Sequence, residues 1–433
     1  MKKGIILLTM GIMILSTTVF QTVKAQNQIR QIIAASGGMW EASPPFSDYV
    51  SVASLDPVSM QITTFDTIFM QSVTDLAISG NYAFVAAGDS LKKYNIDTYS
   101  REAAIGAPGI NQLEAWNDKL IATFQWGSLD MTYVKVFNMS DLSVFKEYPE
   151  VSDESFGIVV AFDTAYISVP GGWAATEGKY AMIDMQNDTF LREISLDTLG
   201  QGMRDIFYAD SLVMTMNTMT YGATYGVFSS YNVFTGNTNV SQINLPFGNG
   251  FLHSAFSVFQ NKLYGIINNT VGTIDYHTGD ISDTALFPFT QSIAEAVLDT
   301  NSGNIYLNYT DFFSFGAGNV YNNSGDSIGT YDLGISPEAM AIDYRSPITT
   351  VTNSISKTTL LVYPIPASEM LTVEIPDETY KTIQLIDVSG NIVLETKANS
   401  TVTSINISEI PSGMYLLTVR STKKAISKPI IVK

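Results

Sequence analysis

Four carboxylates, Asp75, Asp205, Glu295 and Glu338, stand near the starts of four short apolar segments, "VTDLAIS", "MRDIFYA", "AEAVLDT" and "EAMAIDY". If those segments lie side by side around a funnel, the chemistry open to the acids is binding of a cation or basic ligand, or mutual elevation of pKa. A pair of them could also cleave a polysaccharide. The same side chains can instead cap nearby backbone amides. A second set is aromatic. Trp40, Phe46, Trp126, Trp173, Tyr221, Tyr225, Phe312, Phe313 and Phe315 fall in long, Gly- and Ser-containing stretches, and three of the four tryptophans are among them. Rings carried on loops suit stacking on a flat ligand or a sugar, or plugging of gaps in the scaffold. Other catalytic chemistry is thin. The chain has no cysteine, and its two histidines, His253 and His277, sit in different settings. It lacks a P-loop, a zincin motif and G-x-S-x-G. "DTNSGN" at Asp299–Asn304 has some of the residues of a Ca²⁺ loop but not its closing Glu, and reads as a turn. Neither a metal nor a cofactor is expected.

The elements that must position these residues follow from a repeat. "YNVFTG" (Tyr231–Gly236) and "IDYHTG" (Ile274–Gly279) share a hydrophobic residue, Asn or Asp, two spacers, Thr and Gly. Looser copies place the Asn or Asp at Asp56, Asn95, Asn138, Asp184, Asn232, Asp275 and Asn322, at intervals of 39 to 48 residues. That is the period of propeller blades. Each motif reads as a hairpin turn, because Asn and Asp bond their own backbone two residues on. An apolar segment precedes each unit, giving strand A, turn, strand B, loop, strand C, motif turn, strand D. The chain enters at a B strand, Arg30–Ser36, and its last A strand, Glu338–Tyr344, follows the seventh motif. That offset predicts an all-β, seven-bladed β-propeller over residues 28–345, closed by its last strand. The A strands line the funnel. The B–C loops that hold the aromatics share one face, opposite the compact A–B and C–D turns.

The ends carry other signals. Lys2 and Lys3, an apolar stretch from Gly4 to Phe20 and "VKA" predict a signal peptide cleaved between Ala25 and Gln26. No later stretch is long and apolar enough for a transmembrane segment. Residues 26–345 hold 12 Lys/Arg against 34 Asp/Glu, a net −22, which repels nucleic acid. A monomer is expected.

Residues 346–359 are Ser/Thr-rich and read as a linker. Residues 360–433 alternate as strands and predict a small β-sandwich, with turns at Ser389–Gly390 and Ser412–Gly413. Three motifs lie there in order, "YPIPAS" (Tyr363, Pro364 and Pro366), "IDVSGNIV" (with Gly390) and "IPSGMYLL" (with Gly413 and Tyr415), before a basic end at Lys428 and Lys433. This region resembles the type A C-terminal sorting domain of the type IX secretion system of Bacteroidetes, with Ile365 where that family usually has Asn. The resemblance implies export across the outer membrane, the secretion machinery as a partner, and release or attachment at the cell surface. The propeller resembles the YncE-like and quinoprotein amine dehydrogenase β-chain groups, by repeat period and turn pattern.

Two functions fit these residues. One is a secreted or cell-surface protein that binds a small molecule, glycan or protein through its aromatic face. The other is a secreted polysaccharide hydrolase or lyase that uses the funnel acids.

Overall fold

The computed structural model describes residues 29–125, 130–171, 176–218, 223–248, 255–287, 292–345, 360–375, 382–387, 391–398, 400–421 and 425–433. The signal segment, the linker and Gly390 lie outside them. The described residues up to 345 form one compact unit and those from 360 a second.

The first unit contains seven four-stranded antiparallel sheets, the blades of a β-propeller. In six blades the strands run A, B, C, D in chain order. Blade 2 is typical, with A Val73–Ser79, B Tyr82–Ala87, C Ser90–Asn95 and D Ser100–Gly106. The B and C strands are near-continuous apolar runs, such as Tyr82–Ala87 and Leu212–Asn217, because both faces of each are covered by neighbouring blades. The D strands form the outer rim and leave alternate residues in water, as in Ser100–Gly106. The reading of the repeat as hairpin turns holds in detail. Asp56, Asn95, Asp184, Asn232 and Asp275 each accept, on the side-chain oxygen, the amides two and three residues on.

Blade 1 is assembled from both ends of the chain. Its B, C and D strands are Gln31–Ser36, Val50–Leu55 and Ile62–Ile68, and its A strand is Pro337–Asp343. The register runs from Gln31 opposite Asp343 to Ser36 opposite Pro337. Ionic and polar bonds fasten this closure on the compact-turn face. Arg30 and Arg345 both reach Asp97 of blade 2, at 2.8 and 2.9 Å, and Arg345 also holds Asp343 at 2.6 Å. A polar cavity of about 160 Å³ lies beside them, lined by Arg30, Gln31, Ser54, Asp56, Asp97 and Tyr99.

The second unit is a sandwich of a three-stranded sheet (Leu361–Tyr363, Met370–Glu374, Val402–Asn406) and a four-stranded one. The latter has the order Ile392–Lys397, Thr382–Ile386, Gly413–Arg420, Ala425–Val432. Leu371, Val373 and Ile405 of one sheet and Ile383, Leu417 and Ile430 of the other share one core. Pro364 and Pro366 both follow cis peptide bonds. The Tyr415 hydroxyl donates to the Pro411 carbonyl at 2.8 Å, and the Tyr363 hydroxyl donates to Glu374 at 2.6 Å. Gly413 opens a strand instead of sitting inside a turn. Strand pairing with Ala425–Val432 runs to the end of the hairpin and takes the glycine into the ladder.

Candidate functional site

The B–C loops of blades 1 and 7 are described throughout, and the B–C connections share one end of the antiparallel blades. Two of them, from blades 1 and 7, meet across the ring closure. The Trp40 amide donates to the Phe312 carbonyl at 2.9 Å, and the Trp40 and Phe313 rings pack edge to face with centroids 6.5 Å apart. Both rings stay open to solvent, at 59% and 54% exposure. Each loop is braced from beneath. In blade 7, Asp311 collects the amides of Phe313 and Ser314 and the Ser314 hydroxyl, bonds that hold its carboxyl well below the usual carboxylate range. In blade 1, the Gln71 side chain accepts from the Glu41 amide and donates to the Met39 carbonyl. Phe46 packs on Tyr49 at 6.3 Å, and Tyr49 on the exposed ring of Phe69 at 5.2 Å. Phe69 stands outside the B–C loop pattern, because it belongs to the D–A connection; its one sequence signal is an apolar residue between a strand end and Ser72. Phe315 packs into the core between blades 6 and 7, so it plugs a gap. Tyr225 is half-buried at the entry to a C strand. Trp126, Trp173, Tyr221 and His253 lie outside the described residues.

The funnel carboxylates have a shared structural use. Five of the seven innermost strands carry an irregularity in their pairing with strand B, and such a bulge turns amides out of the ladder. Glu338 of blade 1 accepts the Val73 amide of blade 2 at 2.7 Å. Asp75 of blade 2 accepts the Leu113 amide of blade 3 at 2.7 Å, and Asp205 of blade 5 accepts the Ala255 amide of blade 6 at 3.2 Å. Each acid thus stitches its blade to the next at the next blade's bulge. Glu295 bonds the amide of its own neighbour, Ala296, at 2.6 Å. Among the described residues no group of three or more His, Asp or Glu side chains is placed to hold a metal ion. Of the uses open to the funnel acids, the bonds in the structure are to backbone amides.

A fifth acid, Glu114 on the innermost strand of blade 3, escaped the sequence reading because it stands later in its segment than the others. Burial pushes its carboxyl up to about 8, and the charge of Asp75 pushes the same way. A raised carboxyl contributes stability that is complete below the unfolded value of 4.5 and is lost as pH rises through the folded value. Between pH 5 and pH 8 the wild-type chain is therefore expected to lose about 2 kcal/mol relative to Glu114→Gln, allowing for water in the channel. Parallel denaturant titrations of the two proteins at both pH values check this; equal pH slopes would refute it.

Fold and tail together define a class: a β-propeller protein with a C-terminal β-sandwich that serves export. Residues 361–433 match the family of the secretion system C-terminal sorting domain. The tail is a type IX sorting domain, and the chain is a secreted or cell-surface protein. No curated protein matches the chain. Among solved structures, a Bacteroides fragilis protein described as a 6-phosphogluconolactonase is 8% identical, with a TM-score of 0.52 over 72% of this chain and 98% of that one. That likeness is one of fold alone. The extracellular domain of a B. thetaiotaomicron one-component system is 10% identical, with a TM-score of 0.48 over 93% of this chain and 57% of that one. PorZ, a surface component of the type IX secretion system of Porphyromonas gingivalis, is 12% identical, with a TM-score of 0.43 over 94% and 59%. The chain spans less than two thirds of the length of the latter two.

Proposed function

We propose that this protein is a non-enzymatic binding protein of the cell surface, which takes a flat small molecule, a glycan or an aromatic-rich protein segment on its B–C loop face. The domain plan belongs to the same proposal: a signal peptide to Ala25, a propeller over 28–345, a linker over 346–359 and the sorting domain over 360–433. One observation carries the reading. Trp40 and Phe313, 273 positions apart, are brought edge to face by two braced loops and yet remain more than half exposed. A ring pair that served only packing would be covered. Hydrolysis by the funnel acids is the weaker reading, since Asp75, Asp205 and Glu338 already hold backbone amides.

A titration of the full chain with a panel of oligosaccharides and planar aromatic compounds, followed by tryptophan fluorescence, tests this. Trp40→Ala and Phe313→Ala are each expected to weaken saturable binding about tenfold, with the melting temperature unchanged. Turnover of a glycan that disappears in Asp205→Asn, with the fold intact, would replace this function by the hydrolytic one.

A further inference from the structure

The compact-turn face carries an exposed aromatic pair, one ring of which also packs edge to face on Tyr208 at 6.0 Å. The A–B turns of blades 2 to 6 are two-residue hairpins whose first position takes a positive φ, at Gly80, Asn117, Phe162, Asp210 and Gln260. Gly, Asn and Asp tolerate that conformation, whereas a bulky aromatic is strained in it. Phe162 holds φ 49° and is 65% exposed. Its ring lies 5.0 Å from that of Phe234, which is 70% exposed in the C–D turn of blade 5. The turns of blades 2, 3, 4 and 6 put Asp97, Ser140, Gln186 and His277 at that position. Two equivalent contacts between other blades are polar. Lys119 of blade 3 meets Asp188 of blade 4 at 2.5 Å, and Tyr276 of blade 6 donates to Asp210 of blade 5 at 2.6 Å. Among the described residues two exposed rings stand there only between blades 4 and 5, and one is held in a strained backbone.

Their surroundings are acidic. Asp163 is exposed beside Phe162. Asp210 lies in the A–B turn that touches the Phe234 turn, where the Val233 amide donates to the Ser211 carbonyl at 2.9 Å. The propeller as a whole carries a large negative charge. We propose that this patch docks a basic segment of a partner protein, with Lys or Arg stems laid over the Phe162–Phe234 pair and their cationic heads at Asp163 and Asp210. Exposed rings attract such cations through their faces, and the flanking carboxylates complement the charge.

Nona-arginine is the probe, titrated against the full chain by fluorescence anisotropy, with nona-glutamate and a cello-oligosaccharide as comparators. The double variant Phe162→Asn/Phe234→Ser, which keeps every charge, is expected to weaken nona-arginine binding about tenfold. Phe162→Asn alone is expected to raise the melting temperature by about 1–2 °C, because Asn fits the positive φ. Binding of nona-arginine undiminished in the double variant would overturn the proposal, leaving bulk charge as the attraction. So would a preference for the oligosaccharide at this patch, or a fall in melting temperature in Phe162→Asn, which would make the ring a strut between blades.

Discussion

Truncation after Leu333 is expected to abolish cooperative folding of the propeller, whereas truncation after Pro347 leaves its melting temperature within about 2 °C of the full chain's. The shorter product lacks Pro337–Asp343, the innermost strand of blade 1. That strand packs in both directions. Ala339 enters the core shared with Val73, Leu76 and Val85 of blade 2, and Met340 the core shared with Tyr306, Val320 and Tyr331 of blade 7. Its loss exposes both neighbouring faces and the edge of Gln31–Ser36, a penalty on the order of 10 kcal/mol, as large as the whole stability of an ordinary domain. It also removes Asp343, buried beneath Arg345, where burial works to raise its pKa but bonds from Arg345 and Gln31 outweigh it and hold it low. The longer product keeps these bonds and the Arg30–Asp97–Arg345 cluster. Circular dichroism melts of the two products, with chemical denaturation of each, are the measurement. A sharp melt in the Leu333 product would mean that the ring does not depend on its last strand.

The second large effect is expected at Asp75. Asp75→Ala should cost about 2 kcal/mol, because the Leu113 amide, turned out of its ladder by the bulge of blade 3, then loses its acceptor in a part-buried inter-blade seam. Asp75→Asn keeps a carbonyl oxygen in place and should cost about 1 kcal/mol. Denaturant unfolding at pH 7 distinguishes the two, and the gap between variants is the informative quantity. If Asp75→Ala proved neutral in stability while abolishing binding of a cationic ligand, the carboxylate would be a ligand group and not a stitch between blades.

The repeat was legible because its turns obey local rules. An Asn or Asp that bonds amides two and three residues ahead closes a hairpin wherever it stands, so Asp56, Asn232 and Asp275 could be read one by one. The circular offset was legible for the same reason, since counting turns and A strands requires no coordinates. The funnel acids show the limit. Their alignment was visible as a common place in each segment, but the acceptor role of Asp75 depends on a bulge in another blade 38 residues away, and no local pattern encodes that bulge. Glu114 was missed in the same way, because its burial comes from neighbouring strands and not from its own segment.

The sequence by itself determined the number of blades, the split first blade, the tail and the two faces. Turn chemistry, apolar period and the sorting motifs act over a few residues, so they survive without knowledge of what packs where. Only the tertiary structure decided which side chains meet. Trp40 and Phe313 come together because closure of the ring makes blades 1 and 7 neighbours, and Phe162 reaches Phe234 because the A–B turn of blade 4 lies against the C–D turn of blade 5. "YNVFTG" is a blade turn by its Asn and Gly; its Phe gains a partner only from the preceding blade's fold.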